Sequence, residues 1–266
     1  MSCTAITRRR ASGWRLALAA GLLLVLGTVA ARADERPPVP GPAAVFDRDA
    51  REALAAIINA GYVHGLCAGN ALAVHDLEGA LFQTALGQEL YCKRPVPLGH
   101  YHHLDAINAV RACGSIESAV QQGLIRDGVM RAILQNRIPY VLAGSIRDDG
   151  PIPEVVADAC QAQDAMRALA RRATTVIALA TQLHTIAVGN MVPSYTLTPA
   201  GKVRPVYFYT VDMSEFAINK LANRGSLTAR SILTNVQDFV VTVERGLREV
   251  VFWSMEMAGE RPSMES

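Results

Sequence analysis

The chain has 266 residues, half of them apolar and 19% charged, with a formal net charge of +2. That balance suits a globular protein with a sizeable core and excludes a disordered or fibrous chain. Aromatic residues make up only 6%, and no basic run follows the first few residues. No nucleic-acid surface is therefore expected.

Arg8, Arg9, Arg10 and Arg15 lead into and flank the start of an apolar stretch at 16–31 (LALAAGLLLVLGTVAA), and Ala31-Arg32-Ala33 is a small-x-small step. These are the three parts of a secretory signal peptide, so residues 1–33 are expected to be a cleaved leader and the protein to be exported to the periplasm. Thr7-Arg8-Arg9 is compatible with the twin-arginine route. An uncleaved membrane anchor is one alternative, although the apolar core is slightly short for a span of roughly 20 residues. A misassigned start, leaving a cytoplasmic protein, is the other. Cleavage would remove five arginines and no acid, leaving 21 basic against 24 acidic residues and a net charge of −3.

Residues 34–42 (DERPPVPGP) read as a proline-rich linker, 43–255 as one domain and 256–266 as a flexible tail. Residues 47–61 have helical periodicity, with Asp47 placed to cap and Gly61 to end the helix. A buried strand is expected at 62–68, a helix at 77–86, and a helical insertion at 100–137 split by Gly114-Ser115 and Asp127-Gly128. Strands then recur at 139–143, 174–180, 206–211 and 231–233, followed by helical patterns at 153–171, 183–188, 214–222 and 236–255. Alternation of this kind predicts an α/β fold, a parallel sheet with flanking helices.

In such sheets ligands bind beyond the carboxyl ends of the strands. Gly69-Asn70, Gly144-Ser145, the charged run Arg147-Asp148-Asp149, Thr181, Asp212 and Thr234-Asn235 should gather there. Small residues after a strand let backbone N–H groups approach an anion, and a following helix N-terminus adds a favourable field. Asp212 ends its strand where an acid would meet a ribose hydroxyl pair, or where it would simply cap a helix. An arginine among carboxylates suits a substrate carrying both a carboxylate and an amine, and Asp-Gly-Pro is equally strong turn chemistry. No Gly-x-Gly-x-x-Gly fingerprint is present. His100, His102 and His103 stand at i, i+2 and i+3, not at the i, i+4 spacing of helical metal ligands, and no metal is expected. Cys67, Cys92, Cys113 and Cys160 form no Cys-x-x-Cys pair; they are either buried apolar residues or the members of one or two disulfides.

The segments GYVHGLCAGNALAVHDLEGALFQTALG, GHYHHLDAINAVRACGSIESAV, PYVLAGSIRDDGPIPEVVADACQAQDAMR, ATQLHTIAVGNMVP and VDMSEFAINKLANRGS resemble, in order and spacing, the C-terminal domain of the LOR/SDH family, named for lysine-oxoglutarate reductase and saccharopine dehydrogenase. That family includes archaeal-type ornithine cyclodeaminases and the C-terminal part of cyanobacterial bifunctional arginine dihydrolase/ornithine cyclodeaminases. The resemblance implies a Rossmann-like, deoxyhypusine-synthase-like NAD-binding domain that converts ornithine to proline and ammonia, taking a hydride from the α-carbon and returning it to a cyclic imine. It implies catalytic roles among His75, Asp76, Arg147, Asp148, Asp149 and His184. Cofactor contacts would fall among Gly69, Asn70, Gly144, Ser145, Asn190, Asp212, Thr234 and Asn235. Family members also carry an N-terminal domain. The expected partners are therefore an ornithine-like amino acid together with a second copy of the chain or a separately encoded N-terminal domain. The alternative is an exported NAD- or amino-acid-binding module without chemistry.

Overall fold

The computed structural model describes residues 22–26, 44–146, 148–197, 200–215, 219 and 228–257, with the backbone alone at 22–26 and 251–257. The expected linker at 34–42, Arg147, nearly all of the expected helix at 214–222 and the tail beyond 257 lie outside the described residues.

Seven strands form one sheet: β1 Leu22–Leu26, β2 Gly65–Gly69, β5 Tyr140–Ala143, β6 Val155–Val156, β7 Thr175–Leu179, β10 Tyr207–Asp212 and β11 Thr228–Leu233. Their order is β11-β10-β7-β1-β2-β5-β6, and every pairing is parallel. With the two-residue β6 set aside, this is the doubly wound order 3-2-1-4-5-6, whose direction reverses between β1 and β7. Two small antiparallel pairs stand apart: β3 Thr84–Ala85 with β4 Gln88–Glu89, and β8 Tyr195–Leu197 with β9 Val203–Pro205.

The helices are α1 Arg48–Asn59, α2 Asn70–Phe82, α3 His102–Cys113, α4 Ile116–Gln121, α5 Val129–Gln135, α6 Ala159–Ala170, α7 Gln182–Met191 and α8 Val236–Met257. They cover both faces of the sheet, as the continuous apolar runs of parallel strands require. Strand alternation divides the core in two. Leu66 and Ala68 of β2, Leu142 of β5 and Leu179 of β7 pack with α1 to α5 and the start of α8. Cys67, Val141, Val176, Ala178 and Phe208 point the other way, against Met166 and Ala170 of α6 and Val188 of α7. Burial pushes the Cys67 thiol up to about 12, so it serves as a small apolar core residue. All four cysteines among the described residues are free thiols.

The predicted alternation is present, with shifted bounds. The first α/β turn is tighter than expected. β2 ends at Gly69, which is also the N-cap of α2, so the helix starts seven residues before the expected 77. The expected helix at 153–171 is instead the short β6 followed by α6, whose N-cap Asp158 accepts from the Gln161 N–H at 2.8 Å. The insertion at 100–137 holds α3, α4 and α5.

The largest difference concerns the N-terminus. Leu22–Leu26 lies inside the stretch expected to be a leader, yet it occupies the middle of the sheet, paired with β2 on one side and β7 on the other. A chain cleaved after Ala33 would lack this strand.

Candidate functional site at the carboxyl edge of the sheet

A cavity of about 450 Å³ opens where β2, β5 and the segment after β7 end. That volume lies in the range of small-molecule sites. It is lined by Gly69, Asn70, His75, Gly144, Ser145, Asp148, Asp149 and His184, eight of the fourteen residues expected at the site.

Each wall has a local cause. α7 starts after Thr181, and His184 in its first turn swings over the end of β2 with Nδ1 3.3 Å from the Thr181 hydroxyl. A Cβ on Gly69 would stand 3.1 Å from His184 Cε1, close enough that the ring would have to give way slightly. Burial pushes the His184 pKa down, which keeps the ring neutral. Neither Gly69 nor Thr181 caps its helix with a side chain, so the first-turn N–H groups of α2 and α7 face this edge without such a partner.

The opposite wall is the loop after β5. Gly144 pairs through its N–H with Val156 O at 3.0 Å. Asp148 turns the chain back: its Oδ2 accepts the Ser145 N–H at 2.8 Å and its own N–H reaches Ser145 O at 3.1 Å. Asn70 fastens the loop to α2, donating to Gly150 O and accepting from the Ile152 N–H, both at 3.3 Å. Asp149 is exposed and meets His103 Nε2 at 3.0 Å. His75, on α2, is 8% exposed. Its ring centroid lies 6.2 Å from that of His103 and 5.2 Å from that of Phe46, the latter pair packed edge to face.

Asp76, named among the expected catalytic residues, does not line the cavity. It faces away from the cavity and is completely buried. Oδ1 accepts from Arg51 Nε at 2.7 Å and the Val129 N–H at 3.0 Å, and Oδ2 accepts the Met130 N–H at 2.7 Å. Arg51 also donates to Asp76 O at 3.0 Å and to Asp127 Oδ1 at 2.6 Å. The carboxylate therefore caps α5 and neutralises a buried arginine, with no oxygen left for a substrate. Gly128 is part of the same packing: its φ is +100°, and a Cβ there would fall 2.1 Å from Arg51 Nη2.

Four expected cofactor contacts do not line the cavity. Asn190 is exposed at the far end of α7, about 12 Å along the axis from the first turn. Asp212, Thr234 and Asn235 stand at the same edge of the sheet but beyond β7, at the ends of β10 and β11. Asp212 Oδ1 accepts the Ser214 N–H at 2.8 Å and its carbonyl accepts the Thr234 N–H at 3.1 Å, while burial raises its carboxyl pKa. Asn235 Oδ1 accepts the Gln237 N–H at 2.8 Å in the first turn of α8. The cavity also recruits His103, a position within the family resemblance that was given no catalytic or cofactor role, and Gln163, which was not among the expected site residues. His103 was visible in GHYHH, but its partner Asp149 is 46 positions away.

Chemically, two imidazoles and a His103–Asp149 pair line one cavity beside two helix N-termini. Such a set can accept protons from an amine, hold a cation near carboxylates and hold an anion near backbone N–H groups.

Comparison with known proteins agrees with this architecture. The model of a family described as arginine dihydrolase ArgZ-like, C-terminal, Rossmann fold, matches residues 28–243. An ornithine cyclodeaminase of Methanocaldococcus jannaschii is 46% identical over 202 residues, which is 76% of this chain and 45% of that protein. The bifunctional arginine dihydrolase/ornithine cyclodeaminase ArgZ of Synechocystis is 40% identical over 79% of this chain and 28% of its own length. The chain thus spans less than half the length of these curated relatives. Among solved structures, a conserved LOR/SDH protein of Methanococcus maripaludis superimposes with a TM-score of 0.76 at 35% identity, over 94% of this chain and 69% of that one. AgrE in ternary complex with ornithine and NAD+ gives 0.71 at 33% identity, over 90% of this chain and 32% of that one.

Proposed function

Because the chain belongs to the ArgZ-like C-terminal Rossmann-fold family, we propose that it binds NAD and acts on ornithine as an ornithine cyclodeaminase, releasing proline and ammonia. The observation that carries this reading is the cavity at the carboxyl edge of the sheet, where His75, His184 and the His103–Asp149 pair meet the first turns of α2 and α7. Support comes from relatives named for that activity and from the structural likeness to AgrE, which was solved with ornithine and NAD+.

The residues present fit a dinucleotide in one specific respect: Gly69 and Gly144 leave the strand ends bare, and the α2 and α7 N-termini lack side-chain caps. Gly69, Asn70, Gly144 and Ser145 would border it, with Asp212, Thr234 and Asn235 along the continuing edge. Bound there, NAD would accept a hydride from the substrate α-carbon and give it back. The protein's part is to orient and to move protons. His75 accepts a proton from the substrate amine, Asp148 and Asp149 attract the ammonium groups, and Leu183, Met166 and Ile107 exclude water from the apolar wall.

Incubating the 1–266 chain with ornithine and NAD and measuring proline tests the proposal; proline formation is the expected result. The uncapped N-termini of α2 and α7, which could hold a dinucleotide without any turnover, favour a second reading, an NAD- or amino-acid-binding module without chemistry. Calorimetric NAD binding with no proline would select that reading. Neither binding nor proline would overturn both. Export is a separate proposal, resting on the leader-like N-terminus alone.

A further inference from the structure

The cavity-facing ring of His75 is held from behind by a carboxylate that the proposed function does not use. Glu78, one turn along α2, is fully buried and surrounded by four donors. Its Oε2 lies 2.7 Å from His75 Nδ1 and accepts the Leu86 N–H at 3.3 Å. Its Oε1 accepts the Thr84 hydroxyl at 2.9 Å and the Gly87 N–H at 3.5 Å. Burial pushes the Glu78 pKa up, but the hydrogen bonds from His75, Thr84 and the Gly87 N–H favour the carboxylate, and the carboxyl is held below its ordinary value.

An ionised carboxylate only accepts hydrogen bonds. His75 must therefore carry a proton on Nδ1, and Thr84 must turn its only hydrogen toward Glu78. The Thr84 oxygen then has lone pairs alone to offer His102, whose Nδ1 stands 2.8 Å away, so that ring also carries a proton on Nδ1. His102 is kept in place by stacking on Phe82, ring centroids 4.6 Å apart. One buried carboxylate thus sets the tautomers of two histidines.

We infer that Glu78 is the positioning residue that makes His75 the proton acceptor of the cavity, by fixing its proton on Nδ1 and leaving the Nε2 lone pair to the substrate. The inference rests on the reading of the cavity as an amine-processing site. In the step it serves, an N–H bond of the substrate ammonium breaks and the proton passes to His75 Nε2. The electron pair stays on the amine nitrogen, and the imidazolium so formed stands against the Glu78 carboxylate. Thr84 and His102 hold that carboxylate in register.

The test uses the full chain labelled with 15N-histidine, with His75 assigned by the loss of its signals in His75→Gln. Long-range 15N–1H spectra of the wild type are expected to show His75 as a single Nδ1–H tautomer. In Glu78→Gln that pattern is expected to become mixed or to reverse. The ornithine kcat is expected to fall on the order of 100-fold, with KM changed by less than about threefold. A wild-type His75 protonated on Nε2, or an unchanged His75 pattern in folded Glu78→Gln, would overturn the inference. The wild-type spectrum decides even where the variant does not fold. Because the spectra need no turnover, a lack of cyclodeaminase activity would sink the functional proposal and leave this one to the tautomer.

Discussion

A chain that begins at Asp34 is expected not to fold. Residues 1–33 contain β1, which pairs in parallel with β7 through five residues and with β2 through three. Its loss would open the middle of the sheet, not an edge. The backbone N–H and C=O groups of β2 and β7 that face β1 would be left without partners, each at about 1–3 kcal/mol. Several such losses exceed the total stability of an ordinary domain, about 5–15 kcal/mol. Comparing thermal unfolding of the 34–266 and 1–266 chains by circular dichroism should give a cooperative transition only for the longer one. Leu24→Pro is the point-substitution form of the same test, since proline removes a ladder donor from a strand paired on both sides. The leader-like N-terminus and the central strand are therefore rival uses of one apolar stretch. Intact mass of the protein recovered from cells separates them: the strand requires residues 22–26 to be retained. A chain starting at Asp34 that melts cooperatively would contradict that requirement.

Asp76→Ala is expected to destabilise the fold by about 3–5 kcal/mol, the cost of leaving a buried charge without its partner. Arg51 is only 4% exposed, and its guanidinium would keep just the residue-76 backbone carbonyl and one carboxylate, Asp127, whose side chain is half exposed to water. The N–H groups of Val129 and Met130 would lose their acceptor at the same time. The loss should appear as a lower denaturation midpoint in urea, with NAD affinity of the remaining folded protein nearly unchanged. A variant of wild-type stability with no activity would instead place Asp76 in the chemistry.

These two sites show what a sequence does and does not disclose. The rhythm of strands and helices from 62 onward was readable because apolar runs bounded by glycine, asparagine or aspartate have few other uses. The run LLLVL was not, because a leader core and a central strand of a parallel sheet are both continuous apolar stretches, and periodicity does not separate them. His75 and Asp76 are neighbours in the chain and were both among the expected catalytic residues. A helix rotates successive residues by about 100°, so one faces the cavity while the other faces α1 and α5. The partners that decide the role of Asp76, Arg51 at 25 positions and Met130 at 54, leave no local mark. Glu78 is the opposite case. Its i, i+3 relation to His75 was on the page as HDLE, but only the turn that brings Thr84, Leu86 and Gly87 onto the same carboxylate shows that it is buried and ionised.

If one cavity runs a closed hydride cycle on ornithine, an isotope placed on the migrating hydrogen can be followed through it. Ornithine deuterated at the α-carbon, incubated with the 1–266 chain and NAD, is expected to give proline that keeps the deuterium at its α-carbon, with no accumulation of NADH. Proline free of the label, or ornithine left unchanged by a chain with NAD bound, would contradict it.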